Sequence, residues 1–398
     1  DPQGWGGTSA GLYNIASKST VSLSSTAGVY MPYSMHIYGK YLIHGEPFYP
    51  SGEKTESDFS GGCVQVKDDL LAPLFKKVAV GTPVLVVDKE YDNFKYATYR
   101  NISFPALTAD AYLVADVDSG QILLEKNADT VYPIASITKL MNVVVLAERV
   151  DLRKTVTASQ WEFDIPFANP SVFIPGNSYN TIEAMYPTLV ESSNTGAEIV
   201  ASFLGRQNTV NLMNKKAKNL FMNNTVYVEP TGYNPENTST AKDLYLLGRY
   251  IANNRPPIFE ITKGNMVEHF APIAFDITKL NNRNEFADNP DFIGGKVGYT
   301  IQSRYTGLFL FNVNIKGEHR RLAIAILQSE SLRNDAEGLL EIISIFNKDE
   351  RREIINQEIL NSINDDVESK VFSYFKTNNL VKNMLYLDQK TLLPDNYI

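Results

Sequence analysis

Ser136, Ile137, Thr138 and Lys139 set a hydroxyl and an amine three positions apart. On a helix that spacing puts both on one face. A serine is a poor nucleophile until a neighbour takes its proton. A lysine can take it only when burial or another cation pulls its pKa down. A serine at a helix start also meets free backbone N–H groups, which favour developing negative charge. Alone, S-x-x-K reads equally well as an exposed helix start. Ser192-Ser193-Asn194 and Lys296-Val297-Gly298, taken singly, read as a turn serine and a strand lysine. Taken in order, with their flanks, the three segments form one candidate site. A second candidate is Cys63, in Ser60-Gly61-Gly62-Cys63-Val64, with His44-Gly45 upstream. A thiol becomes a useful nucleophile when a base or cation stabilises its thiolate, and histidine suits that task near pH 7. Small neighbours let a substrate carbonyl approach. A lone cysteine reads as well as a small buried apolar residue.

Both sites need elements to hold them. Residues 1–92 are rich in Gly, Ser and Tyr with short alternating stretches, and read as mostly β, closing on a strand at 82–87. Residues 93–103 read as a connector. Residues 104–348 mix strands and helices. Ala111–Val117 and Gln121–Glu125 form a hairpin around Asp118-Ser119-Gly120, and Ser136–Arg149 reads as a helix with a buried side. Gly307–Phe311 and Leu322–Leu327 read as strands around a turn at Lys316-Gly317, followed by a helix over 335–346. Strands at both ends with helices between predict one antiparallel sheet packed by helices. Residues 349–398 read as a charged, amphipathic helical extension.

The 398 residues are enough for two cores. The net charge of −8 argues against nucleic acid, which needs a concentrated basic face. The apolar runs are too short to cross a bilayer. One cysteine permits no intrachain disulfide, and the four histidines are scattered without ligand spacing, so neither a metal nor another cofactor is expected.

The serine motifs resemble the penicillin-recognising acyl enzymes (S-x-x-K, S-x-N, K-T-G), and most closely the low-molecular-mass D-alanyl-D-alanine carboxypeptidases. The narrower resemblance rests on Glu125-Lys126-Asn127-Ala128-Asp129, Pro133-Ile134-Ala135, Glu229-Pro230-Thr231-Gly232-Tyr233 and Asn237–Leu244. It covers about residues 107–346 and implies a penicillin-binding, β-lactamase-like α/β fold. By that resemblance Ser136 attacks the D-Ala-D-Ala carbonyl and Lys139 accepts its proton. Ser192 relays a proton to the leaving amine, Asn194 positions the substrate amide, and Lys296 adds positive charge. The N–H groups of Ser136 and Tyr299, beside Gly298, form an oxyanion hole. The usual threonine of K-T-G is Val297, which removes a carboxylate contact. Thr300 is the residue that would compensate, or preference would shift towards an internal cross-link.

The first region resembles the L,D-transpeptidases. The resemblance rests on Thr8–Ile15, Met31–His36, His44-Gly45, Ser60–Cys63 and Gly81–Val84. It implies that a tetrapeptide donor acylates Cys63, that His44 is the base, and that Gly62 and Cys63 supply oxyanion donors. His36 reads as structural. Two departures stand out: Gln65 replaces the usual Arg or Asn, and the strands that precede the Thr8 element in that family are not in this sequence, so either they lie upstream of it or the domain is incomplete.

The expected protein is therefore multidomain. A mostly-β L,D-transpeptidase-like domain precedes an α/β D,D-carboxypeptidase acting on peptidoglycan stem peptides, with β-lactams as covalent inhibitors. The alternatives are a D,D-endopeptidase, a serine β-lactamase, or a wall-binding protein with degenerate sites. Wall chemistry implies action outside the cytoplasm, after loss of a leader or anchor, and leaves open membrane association through segments outside this sequence.

Overall fold

Alternating apolar residues, two per face, make Leu308, Phe309, Leu310 and Phe311 disappear into both faces of one sheet. In the computed structural model, which describes residues 5, 7–25, 27–55, 62–87, 89–96, 106–268, 271–348 and 385–387, two compact units are present. One holds the described residues up to Lys89 together with the strand Leu385–Leu387. The other holds those from Glu90 to Lys348.

The first unit comprises β1 (Gly11–Asn14), β2 (Ser17–Ser24), β3 (Val29–Tyr38), β4 (Tyr41–His44), β5 (Val64–Gln65), α1 (Asp68–Lys77) and β6 (Pro83–Val86). β2, β3, β4 and β5 form one sheet in that order. β1, β6 and Leu385–Leu387 form a second. The mostly-β expectation for this region missed α1, whose acidic first turn and basic last turn suit the helix dipole. Leu385–Leu387 corrects the helical reading of the extension at these residues. They pair in parallel with β6 on the side away from β1. The rest of 349–398 lies outside the described residues.

The second unit begins earlier than expected. Arg320 donates to Asp116 (2.8 Å) and to Asp92 (2.6 Å), while Tyr96 Oη donates to Asp116 (2.6 Å). Phe94 and Tyr96 join the apolar cluster beneath the sheet. The near side of the connector is thus built into this unit, and 97–105 lie outside the described residues. The sheet runs β9 (Phe292–Thr300), β10 (Arg304–Ile315), β11 (Glu318–Ser329), β7 (Ala111–Asp116) and β8 (Ile122–Lys126), every neighbouring pair antiparallel. The β10–β11 hairpin closes at Lys316 (φ 54°) and Gly317 (φ 85°), the two left-handed positions its tight turn needs.

Seven α-helices lie in this unit among the described residues: α2 (Thr138–Arg149), α3 (Thr181–Val190), α4 (Asn194–Ser202), α5 (Arg206–Asn219), α6 (Ala241–Asn254), α7 (Pro256–Lys263) and α8 (Leu332–Lys348). The last three pack on the sheet, and α2–α5 pack on one another. α2 is buried from Thr138 to Glu148, which makes it the core helix, and it is the element that carries the candidate lysine. Its far end is held by an ion cluster of Glu148, Lys216 and Arg255, all fully buried.

Candidate active site

Ser136 lies in a single 3-10 turn, Ala135–Ile137, directly ahead of α2. The expected helix start is therefore tighter than an α-helix. Ala135 has a left-handed φ of 44°, an unfavourable conformation for a residue with a side chain. Backbone presses on this turn from two sides. A Cβ on Gly232 would lie 1.9 Å from the Ala135 carbonyl oxygen, and one on Gly298 would lie 2.8 Å from the Ser136 nitrogen. Only glycines allow β9 and the 229–237 loop to pack this closely against the serine.

Lys139 Nζ donates to Ser136 Oγ (2.8 Å), to Asn194 Oδ1 (2.8 Å) and to the Thr231 carbonyl (2.6 Å). Burial pulls this amine down to about 7, against the opposing pull of Glu229 and Glu198. The amine is therefore partly neutral near neutral pH and can accept a proton. Asn194 opens α4, which Ser193 caps by accepting from the Gly196 N–H (2.9 Å). Ser192 stands just ahead, with φ 60°, and lines one cavity of about 580 Å³ together with Ser136, Val297, Gly298 and Tyr299. Its hydroxyl makes no hydrogen bond among the described residues.

Lys296 sits on β9, buried, and donates to the Val297 carbonyl (2.9 Å). Burial first, then the positive charges of Lys139 and Arg283, hold its amine well below the ordinary lysine range. Val297 packs partly against the apolar cluster of Phe286, Phe309 and Leu332 and lines the same cavity. Thr300 does not replace the lost hydroxyl. Its Oγ1 donates to Ser303 Oγ (2.9 Å) and accepts from the Ser303 N–H (3.0 Å), which closes the turn after β9.

Several residues outside the three serine-site motifs also shape the site. Glu229 accepts from the Thr231 N–H (2.7 Å), the Thr231 hydroxyl (2.6 Å) and the Gly232 N–H (2.6 Å), and so fixes the loop that offers a carbonyl to Lys139. Asn142 donates to the Ala197 (2.9 Å) and Pro230 (3.3 Å) carbonyls, tying α2 to both neighbours. Its position three after Lys139 was the clue available. Arg283, which lines the cavity, and Asn169 lie in aperiodic stretches that gave none.

The residues of the cysteine site fall in the first unit. β4 and β5 pair in parallel, Ile43 with Val64 and His44 with Gln65, which brings Cys63 to the mouth of β5. Thr8 Oγ1 donates to the Gly62 carbonyl (2.7 Å), so the Thr8 element does meet the Cys63 segment. The Cys63 thiol points to the Lys40 carbonyl (3.7 Å), while His44 Nδ1 pairs with the Gly45 carbonyl (2.7 Å). Burial pushes the Cys63 thiol up and the His44 imidazole down, so both are neutral. The expected contact between base and thiol is not formed. A Cβ on Gly45 would lie 2.0 Å from Asp68 Oδ1, so a larger residue there would displace the Asp68 side chain. His36 pairs with the Gly39 carbonyl (2.7 Å) at the β3–β4 turn. Ser60 lies outside the described residues.

A buried, neutralisable lysine bonded to a serine at a helix start, beside the edge strand of an antiparallel sheet, defines the class of serine acyl enzymes. The sequence model of peptidase family S11, D-alanyl-D-alanine carboxypeptidase, matches residues 98–330. The chain belongs to that family. It is 30% identical over 231 residues to D-alanyl-D-alanine carboxypeptidase DacB2 of Mycobacterium tuberculosis, covering 57% of this chain and 77% of that one. It is 36% identical over 155 residues to a D-alanyl-D-alanine endopeptidase of Pseudomonas aeruginosa, covering 38% of this chain and 49% of the relative. Among solved structures, a penicillin-binding protein homolog from Mycobacterium tuberculosis matches with a TM-score of 0.55 and 27% identity, over 64% of this chain and 97% of that one. Penicillin-binding protein D2 of Listeria monocytogenes, in a cefotaxime-bound form, shares the fold with a TM-score of 0.53 and 23% identity, over 63% of this chain and 100% of that one. The family match starts at residue 98 and does not reach His44 or Cys63.

Proposed function

We propose that the second unit hydrolyses the terminal D-Ala-D-Ala bond of peptidoglycan stem peptides through an acyl-enzyme on Ser136. The observation that carries this reading is the 2.8 Å bond between Ser136 Oγ and a buried Lys139 amine held near 7. Ser136 Oγ attacks the penultimate D-alanine carbonyl as Lys139 takes its proton. The oxyanion is received by the Ser136 and Tyr299 N–H groups. Ser192 passes a proton from Lys139 to the departing nitrogen, the C–N bond breaks and D-alanine leaves. Water then attacks the ester and gives a proton to Lys139, the C–O bond to Ser136 breaks, and Lys139 returns that proton to Ser136 Oγ. Arg283, exposed in the cavity, supplies the positive charge for the terminal carboxylate. A β-lactam would follow the first half of this path and stop as a long-lived ester. The substrate sets the place of action outside the cytoplasm. Mass spectrometry of a stem pentapeptide after incubation tests the reading: loss of one alanine, absent with Ser136→Ala, is expected. An unchanged pentapeptide overturns it.

Val297 favours a related second reading, cleavage of an internal D-Ala cross-link. The wall beside the reacting bond is apolar there and continues to Phe286 and Leu332. A hydrogen bond to a charged group contributes about 1.5–3 kcal/mol. Val297→Thr is therefore expected to raise kcat/KM on a free pentapeptide about tenfold or more, and to leave that on a cross-linked dimer within about threefold. Equal gains on both substrates would remove the specificity argument.

For the first unit, the paired β4 and β5 and the bond from Thr8 to Gly62 support a thiol acyl-transfer site of L,D-transpeptidase type. With Nδ1 on the Gly45 carbonyl, His44 has Nε2 available as the base. A carbapenem is expected to form an adduct on Cys63 in the whole chain, and His44→Ala to slow it at least about tenfold. Labelling that ignores His44 would reduce Cys63 to a structural thiol.

A further inference from the structure

Asn169 belongs to none of the three serine-site motifs, yet it meets three consecutive residues of one of them. Its Nδ2 donates to the Ser192 carbonyl (3.4 Å) and its own carbonyl accepts from Ser193 Oγ (2.6 Å). Its Oδ1 accepts from the Asn194 N–H. The same loop extends the pattern on both sides. The Phe167 carbonyl accepts from Asn194 Nδ2 (2.9 Å), and Ser171 Oγ donates to Glu191. Residues 167–171 therefore run against residues 191–194, and each of those four is held.

The backbone explains why such holding is needed. Phe167 (φ 59°), Ser171 (φ 56°) and Ser192 (φ 60°) all lie in the left-handed region that residues with side chains avoid. Such conformations persist only where their surroundings over-determine them, and they gather at functional sites. Ser192 is the residue whose hydroxyl faces the cavity with Ser136, and Asn169 lines that cavity too. Released from Asn169, the 191–194 turn is free to relax towards negative φ, which swings the Ser192 Cβ and hydroxyl away from the departing nitrogen.

We infer that Asn169 is a positioning residue that fixes Ser192 for proton delivery during acylation. This rests on the acyl-enzyme reading of Ser136. In that step the Ser136–carbonyl bond forms and the carbon–nitrogen bond breaks. The proton lost by Ser136 reaches the nitrogen by way of Lys139 and Ser192, so no outside reactant is needed. Substrate binding uses β9 and Arg283 instead, so the effect falls on the rate of acylation and spares affinity.

Stopped-flow labelling of the full chain with fluorescent penicillin provides the test, with thermal unfolding run alongside. Asn169→Ala is expected to lower the limiting acylation rate roughly thirtyfold or more, with the half-saturating concentration within about threefold of wild type. Asn169→Asp keeps the oxygen that Asn194 needs and is expected to recover at least about tenfold over Ala. An Ala variant as fast as wild type overturns the inference, as does a change confined to half-saturation, or an Asp variant no better than Ala. Should the Ala variant not fold, Asn169→Gln carries the same groups one methylene out of place and is expected to be about tenfold slow. A Gln variant at wild-type speed overturns the inference. A wild-type protein that takes no label removes the acyl-enzyme reading and this one with it. A labelled wild type with an indifferent Asn169 removes this one alone.

Discussion

Lys139→Met is expected to slow acylation of Ser136 roughly a thousandfold, and Lys139→Arg to do no better. Methionine keeps the length and apolar stem of the side chain and removes the base. Arginine keeps the charge and cannot give it up near neutral pH. The direction of the pH dependence follows from the same group. Lys139 acts as a base only when neutral, and burial holds its amine at about 7. Acylation by the wild-type protein should therefore climb about tenfold per pH unit below that value and level off above it. Glu229 and Glu198 oppose the burial. Glu198→Gln should accordingly move the rise to lower pH. Rates of labelling by a fluorescent penicillin between pH 5 and 9, on wild type and these variants, check each statement. A flat profile, or a methionine variant within tenfold of wild type, would mean that Lys139 is not the base.

The site was legible where chemistry depends on residues close in sequence. Ser136 and Lys139 meet because one helical turn joins them, and that spacing survives whatever the rest of the chain does. The turn at Lys316-Gly317 was legible for a similar reason, since left-handed turns select their residues locally. Order along the chain, read with a family resemblance, then brought in Ser192 and Lys296. What could not be read is what depends on loops docking over long separations. Asn169 and Ser192 are 23 residues apart, and no periodicity connects them. Thr300 illustrates the opposite error. Its hydroxyl looked free to replace the one missing at Val297, but the turn after β9 captures it locally through Ser303. Helix α1 was hidden by Pro73 and by a neighbourhood rich in strand and turn signals. Leu385–Leu387 was hidden because three residues have no helical or strand period of their own. Only the edge of β6 gives them a conformation.

Gly232→Ala should cost the serine site at least about a hundredfold in acylation rate, although no functional group is removed. Two penalties act together. Gly232 has a left-handed φ of 84°, where a Cβ costs about 1–2 kcal/mol. That Cβ would also lie 1.9 Å from the Ala135 carbonyl oxygen, a separation no packed methyl can hold. Either the 229–237 loop or the Ala135–Ser136 turn must retreat. Retreat of the loop takes the Thr231 carbonyl away from Lys139 Nζ, and retreat of the turn moves Ser136 itself. Gly205→Ala separates strain from collision. Gly205 has nearly the same φ, 83°, but nothing lies within 4 Å of its missing Cβ. It should lower Tm by about 3–5 °C and leave acylation near wild type. Gly232→Ala should lower Tm further and slow labelling sharply while far-UV circular dichroism stays native. Equal labelling rates for the two variants would show that Ser136 does not depend on the close packing of loop against turn.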